Sequence, residues 1–425
     1  MMAILRTLMK SYCRNVLALR IVLIVCILLP LLANHISLYI RSINASDNAM
    51  SNDGFEQPAS TSADITSSEQ LMIAANLNIT IQPCALLFFG LPRAYKQMVL
   101  PSIVRNILIP NARHQCDIYV HYYHQHAEKP GRVNNGGAID PNEILLLKKA
   151  ASDVAKDHGG RQEPHVEFVN DTEQSFWKKR GTSLDKYHNT TDKGGQPFYF
   201  PWKAKSYHKE SLTNIVKQWH SIHSVFTLME TTSQQLHTAP YSRVGMFRSD
   251  VMFLTPIDIA SLDREQMDVH NQHAVMAPFG KYPVNDRIIY GPLEGIKVWA
   301  TKRFDLIEQR VQFHQDPGFE MHSERFLNAT ILPAIQEVGV SLHENPDICF
   351  LRVRADKSVL PDDCKLNARV KGGLTGETRG WDKADVKSLV ESIVGTSCSP
   401  KHKFLACDFG ADDETLTRGN AKIGI

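Results

Sequence analysis

The sequence lacks an excess of charge of either sign: 47 Lys and Arg stand against 45 Asp and Glu, a formal +2 over 425 residues. Nucleic-acid binding needs a basic face, so this balance gives no reason to expect a nucleic-acid partner. Cysteine is scarce, eight in all, too few for a disulfide-dense miniature scaffold. None shows the Cys-x-x-Cys spacing of a zinc site. No fixed repeat period is present, which argues against solenoids and propellers. Acidic residues are missing altogether before Asp47. Apolar residues are plentiful, at 43% against 22% charged, the composition of a folded chain rather than a disordered one.

The acid-free start contains Arg6, Lys10, Arg14 and Arg20, followed by 21–40 with no Asp, Glu, Lys or Arg. Twenty helical residues reach about 30 Å, the thickness of a bilayer's hydrocarbon core. The basic flank predicts a cytosolic N-terminus and a lumenal remainder. A cleaved signal peptide is the alternative, and it puts the same domain in the same compartment. Five Asn-x-Ser/Thr sequons follow the apolar run, at Asn44, Asn78, Asn170, Asn189 and Asn328, and are expected to be N-glycosylation acceptors. Six cysteines also follow it, an even number for an oxidising compartment. Proximity suggests Cys349 with Cys364 and Cys398 with Cys407.

The expected organisation is a cytosolic tail (1–20), a transmembrane signal anchor (21–40), a flexible stem (41–83), a main domain (84–366) and a C-terminal extension (367–425). The stem is rich in Ser, Asn, Asp, Thr and Ala and cannot bury a core. The main domain opens with Ala85-Leu-Leu-Phe-Phe-Gly90, the pattern of a strand buried on both faces. A loop at 91–93, a helical pattern carrying Met98, Val99, Ile103 and Ile107, and a strand from Cys116 complete a βαβ unit. Further strands are expected at 165–169, 243–247, 273–277 and 349–353, with helices at 206–231, 291–301 and 323–338. A short helix at 383–394 is expected to be capped by Asp382. The stretches 124–163 and 178–202 read as long polar connections. The fold class is therefore α/β, a mostly parallel sheet flanked by helices.

Three segments can carry chemistry. The first is Arg243-Val-Gly-Met-Phe-Arg-Ser-Asp250, in which an apolar strand delivers Arg248 and Asp250 at its carboxyl end. Open α/β sheets bind ligands there. A carboxylate can hold a divalent cation against a diphosphate, and an arginine can neutralise phosphate directly. A strand-end Asp that caps the next turn accounts for the same residues. The second is Asn285-Asp-Arg-Ile-Ile-Tyr-Gly291, with Asp286 and Arg287 in a loop and Gly291 permitting close backbone approach; an Asx turn is the plainer account. The third is Met321-His-Ser-Glu-Arg325 at a helix start, where Glu324 could serve as a base or merely suit the helix dipole. The run His121-Tyr-Tyr-His-Gln-His126 invites a zinc reading, but no carboxylate or cysteine completes a ligand set. Phe198, Tyr199, Phe200 and Trp202 could stack on sugar rings or hold down their own loop.

Taken in order, the strand ending Arg-Ser-Asp, the Asn-Asp-Arg before an apolar strand, and the His-Ser-Glu at a helix start resemble an uncharacterised family of GT-A-like glycosyltransferases. Its members are type II membrane proteins of the secretory pathway. The resemblance spans about 84–356 and implies a GT-A-type domain that takes a sugar from a nucleotide sugar to a glycan or glycoprotein acceptor, in the Golgi or ER lumen. It places Arg93, Arg248, Asp250 and Arg287 at the donor, with manganese or magnesium at Asp250, and Asp286 and Glu324 as catalytic acids or bases. The usual Asp-x-Asp is absent, because Arg248 occupies its first position. Two rivals remain: a lumenal sulfotransferase, suggested by Phe89-Gly-Leu-Pro-Arg93 after a strand, and a catalytically degenerate glycan-binding protein of the same fold. The sulfotransferase reading lacks the Gly and Ser or Thr that should follow Arg93 to cradle phosphate.

Overall fold

The computed structural model describes residues 83–129, 136–159, 164–236, 240–260, 273–277, 284–313, 317–364 and 381–410. The expected tail, anchor and stem, with Asn44 and Asn78, lie outside the described residues. Among the described residues, no helix is long and apolar enough to cross a membrane.

Strand β1 (Cys84–Gly90) alternates its side chains between two apolar cores, as a central strand must. Leu86 and Phe88 face Val99, Ile103 and Ile107 of a helical segment over 95–111, here α1. Ala85, Leu87 and Phe89 face Val216, Ile222 and Phe226 on a 27-residue helix (Lys209–Gln235). Burial on both faces explains the unbroken apolar run. Helix α1 contains Pro101 and Pro110, and it widens into π-helical turns at Tyr95–Val99 and Val104–Leu108. A proline without an N–H cannot close the regular ladder there.

Strands β2 (Asp117–Tyr123) and β5 (Val166–Asp171) extend the sheet on one side of β1, with the short ribbon β3 (Ala127–Glu128) and β4 (Gly137–Ala138) between them in sequence. The chain then returns to place β6 (Arg243–Arg248) against the other side of β1, again parallel. The short β7 (Val251–Phe253) leaves this sheet, and β8 (His273–Met276), β9 (Ile288–Pro292) and β10 (Ser341–Glu344) finish it. The order is β10-β8-β9-β6-β1-β2-β5. β9 runs antiparallel to both its neighbours, and the other pairings are parallel. The α/β sheet is thus mostly parallel, and its direction of winding reverses between β1 and β6.

Two helices fill what read as polar connections. Helix α2 (Leu146–Asp157) buries Leu147, Ala151, Val154 and Ala155, and α3 (Glu173–Asn189) buries only Phe176, Leu184 and Tyr187. An apolar stripe that sparse falls below what periodicity can register. Thr172 caps α3, its Oγ1 accepting from the Ser175 N–H at 3.1 Å. The long helix Lys209–Gln235 is α4. Beyond it come α5 (Leu293–Thr301), α6 (Arg303–Phe313) and α7 over 323–337. The helix expected from Gly291 starts at Leu293, because Gly291 and Pro292 end β9.

Gly291 has a packing reason to be glycine. A Cβ there would stand 2.7 Å from the Ala274 Cα and from the His273 carbonyl oxygen of β8. Backbone cannot retreat as a flexible side chain can, so Gly291→Ala should destabilise the protein by about 1–3 kcal/mol. Urea unfolding of the two proteins measures this, and an unchanged midpoint would sink the argument.

The C-terminal residues join the core. β11 (Phe350–Arg352) pairs with β7, and β12 (Ser358–Val359), β13 (Cys398–Lys401) and β14 (Phe404–Cys407) form a small sheet. Helix α8 (Lys383–Val394) contributes Val386 and Val390 to the cluster that holds Leu86 and Phe88. Asp382 caps it, accepting from the Ala384 N–H at 2.7 Å, as its position predicts. Disulfides join Cys349 to Cys364 and Cys398 to Cys407, the two pairs that proximity suggested, and Cys84 to Cys116. Asn170, Asn189 and Asn328 are all exposed.

Candidate functional site

The carboxyl ends of β1 and β6 are neighbours, and the loops leaving them meet. Gly90 ends β1 with φ 115°, and its N–H donates to the Ser221 hydroxyl at 2.9 Å. The loop that follows carries Arg93, whose guanidinium bridges two acids. Nε and Nη2 donate to Glu128 at 2.6 and 2.5 Å, and Nη1 donates to Asp250 Oδ2. Asp250 is 2% exposed. It also accepts a two-pronged contact from Arg248, Nε to Oδ1 at 2.7 Å and Nη2 to Oδ2 at 2.6 Å. The Ser249 N–H is tied to the Phe89 carbonyl at 2.8 Å, so this turn is fixed to β1.

Asp286 and Arg287 precede β9 on an Asx turn. Asn285 Oδ1 accepts from the N–H groups of Arg287 and Ile288 at 2.7 and 2.8 Å. The turn reading and the site reading of this segment are therefore both right: the turn aims the charged pair. Asp286 Oδ1 lies 3.0 Å from Arg287 Nη1 and 3.8 Å from Arg248 Nη1. Glu324 stands at the start of α7 with His322 Nδ1 3.5 Å from its Oε2. The Tyr207 hydroxyl accepts from the Ser323 N–H at 3.2 Å, and its ring faces the His322 ring at 5.0 Å.

The two acids have opposite protonation tendencies. Burial would raise the pKa of Asp286, but Arg287 and Arg248 hold it below the ordinary carboxylate value. Burial raises that of Glu324, and the negative charge of Asp286 raises it further. Asp250 is likewise buried, yet Arg248 and Arg93 keep its carboxyl well below the usual range. Arg303 is 1% exposed, with its guanidinium 3.9 Å from the Trp299 ring centre, and burial lowers its pKa to about 9. Its Nη1 and Nη2 have no hydrogen-bond partner among the described residues.

All six residues singled out in the sequence, Arg93, Arg248, Asp250, Asp286, Arg287 and Glu324, converge on this edge of the sheet. Others were missed. Arg352 makes a two-pronged contact to Asp363 at 2.8 and 2.6 Å, and Arg354 stands two residues on. That spacing on an extended strand puts both arginines on one face, a signal available in Arg352-Val-Arg354. Glu128 sits in a polar stretch with no such signal. Of the four aromatics at 198–202, Tyr199 is buried and Phe198 and Phe200 pack on the core, which leaves Trp202 37% exposed.

A divalent cation at Asp250 does not fit these residues. Both carboxylate oxygens accept from guanidinium groups. Among the described residues, the one grouping of three metal-ligating side chains is elsewhere: His121, Asp171 and His220, with ligand atoms within 4.8 Å of one another. The zinc reading of the 121–126 run found no carboxylate because Asp171 and His220 arrive from β5 and α4. His220 Nε2 and His121 Nε2 lie 2.7 and 3.1 Å from Asp171 Oδ2. However, Arg180 Nε donates to His220 Nδ1 at 3.2 Å, so the ring proton sits on Nε2, where a metal would bind. Lys179 Nζ and Ser175 Oγ also donate to Asp171, each at 2.6 Å. The trio could hold a cation only by giving up these bonds. As built, it is a satisfied hydrogen-bond network beneath the site, tied to Gly90 through Ser221, which lies 2.7 Å from His121 Nδ1.

No protein-family model matches the sequence, and no curated protein matches it. Among solved structures, the chain is similar to a putative glucose-1-phosphate thymidylyltransferase from Bacillus anthracis, in complex with a sucrose. That match has 9% identity and a TM-score of 0.28, and covers 64% of this chain and 89% of the other. Mouse xyloside xylosyltransferase 1 in its apo form matches at 11% identity and a TM-score of 0.26, covering 62% and 85%. At these values neither likeness bears on what the chain does.

Proposed function

We propose that the protein is a glycosyltransferase of the secretory pathway, which moves a sugar from a nucleotide-sugar donor to a hydroxyl of a glycan or glycoprotein. The observation that carries this reading is the arginine-lined edge between β1 and β6, where the winding reverses and α/β sheets take nucleotides. Arg93 and Arg248 stand there to meet a diphosphate, and Glu324 is grouped electrostatically with Asp286 and Arg287 close by. In transfer, the acceptor oxygen bonds to the sugar's anomeric carbon as the bond to the diphosphate breaks. The hydroxyl proton passes to Glu324, and the arginines take up the leaving group's charge. Asp286 is the weaker base, since two guanidiniums hold it ionised. The three disulfides support an oxidising compartment, and the basic, acid-free start before an apolar run supports a membrane anchor that puts this domain in the Golgi or ER lumen.

The test is thermal stabilisation of the purified full chain by a panel of nucleotide sugars and by the sulfate-donor nucleotide. Stabilisation by one sugar nucleotide, with transfer to an acceptor, is the expected result. A response to the sulfate donor alone would make the chain a sulfotransferase, and silence from a folded sample would leave the binding-only role.

A further inference from the structure

A phosphate site built around a metal keeps carboxylate oxygens open for it, and this site does the opposite. Asp250 offers two oxygens, and three guanidinium nitrogens have taken them. Among the described residues, Asp250 belongs to no group of three metal-ligating side chains. Positive charge is instead abundant. Arg93 and Arg248 meet on Asp250, and Arg352 is held on Asp363. Arg354 lies close enough to Asp250, Asp363, Arg93 and Arg352 to feel all four, and its buried Nε has no hydrogen-bond partner among the described residues. Guanidiniums crowded in this way repel one another unless anions stand between them. The planar fork that binds a carboxylate in two-pronged fashion binds phosphate equally well.

We propose that this site holds the diphosphate of its nucleotide substrate without a divalent cation, on Arg93, Arg248, Arg352 and Arg354, and that Asp250 is an internal counter-ion that keeps two of these arginines in place. The inference rests on the reading of the site as a nucleotide-sugar site. It assigns Asp250 a role opposite to that of a metal ligand: a metal ligand helps to recruit the diphosphate, whereas an internal counter-ion competes with it for the same nitrogens. The burial of Arg354 lowers its pKa to about 10, with Arg352 and Arg93 adding to the effect, and an arriving anion relieves that strain on its charge.

The experiment is calorimetric binding of inorganic pyrophosphate to the full chain, in excess EDTA and then in manganese. Binding in EDTA is expected. Arg354→Gln should weaken it by about tenfold or more, the worth of one charge-assisted contact, and Asp250→Asn, which removes the anion that competes for the same nitrogens, should tighten it. Asp250→Asn takes the shared counter-ion from Arg248 and Arg93, of which only Arg93 keeps a second close carboxylate, Glu128, so its melting temperature should fall, and pyrophosphate should restore it by a larger increment than in the unmodified protein. Pyrophosphate binding that is absent in EDTA and appears with manganese overturns the proposal, and so does failure to bind under either condition. These outcomes need only the unmodified chain, whatever the variants do. Pyrophosphate binding in EDTA with no response to any sugar nucleotide removes the glycosyl-transfer reading alone. Sugar-nucleotide binding that requires manganese removes this inference alone.

Discussion

Glu324→Gln should abolish most transfer while leaving the protein folded and able to bind its donor. The substitution keeps shape and hydrogen bonding at the start of α7 but removes the group that can accept a proton. General base catalysis contributes about 10²- to 10⁴-fold, so kcat should fall by that factor with little change in KM for the donor. The pH profile separates a base from a merely structural residue. Burial and the Asp286 charge raise the pKa of Glu324, so activity in the unmodified enzyme should climb with pH as this carboxyl ionises. Asp286→Asn removes a negative neighbour and should move that rising limb to lower pH, since less repulsion opposes ionisation. A Glu324→Gln enzyme with normal turnover would end the assignment.

The second large effect is a loss of stability in mild acid. Burial lowers the pKa of His121, and that of His220 to about 4, in spite of the hydrogen bonds both rings make to Asp171. An unfolded histidine takes up a proton below about pH 6.5, whereas these two stay neutral in the folded protein. The unfolded state therefore binds more protons as pH falls, and stability must drop with it. Each excluded proton costs about 1.4 kcal/mol per pH unit. Between pH 6.5 and 5 His220 should cost about 1.5 kcal/mol, its loss levelling off as pH nears its folded value, and His121 adds a loss of the same sign. Burial would raise the pKa of Asp171, but hydrogen bonds from His121, Lys179, Ser175 and His220 hold it well below normal. Its own contribution is lost only at lower pH, outside this window. Denaturant unfolding at pH 6.5 and 5 measures the effect, and His220→Gln should remove the His220 share of the difference. A flat profile would show that the two rings are charged in the folded state.

Much of this architecture was legible in the residues because the relevant patterns are local. The buried run 85–90 could only be a central strand, and Arg248 and Asp250 follow an apolar strand closely enough to be placed at its carboxyl end. Asp382 and the helix at 383–394 were readable because a cap and a periodic stripe lie side by side. What escaped depends on distance along the chain. Helix α3 shows three buried residues in seventeen, and its covering role exists only because α4 lies against it. Asp171 and His220 are 49 residues apart, and no spacing rule links them to His121. The arginine excess at the site escaped for the same reason: Arg93 and Arg354 stand at opposite ends of the domain in sequence. The missing Asp-x-Asp raised a question about metal at once, but the answer required seeing which nitrogens had filled Asp250's oxygens.

The Cys349–Cys364 bridge closes a loop of 15 residues that carries Arg352, Arg354 and Asp363. Closing a loop of that size is worth about 3 kcal/mol in the chain-entropy account, and this loop supplies half of the proposed phosphate clamp. The choice of production host therefore bears on the activity of the preparation. Material made in a reducing cytosol can carry an intact central sheet, since β1, β2, β5 and β6 are held by their own ladders and cores, and still present a slack clamp. Such a preparation would pass a circular-dichroism check and fail a binding assay. Secretion through an oxidising compartment, or refolding with a thiol–disulfide couple, is the route to protein whose donor affinity is meaningful.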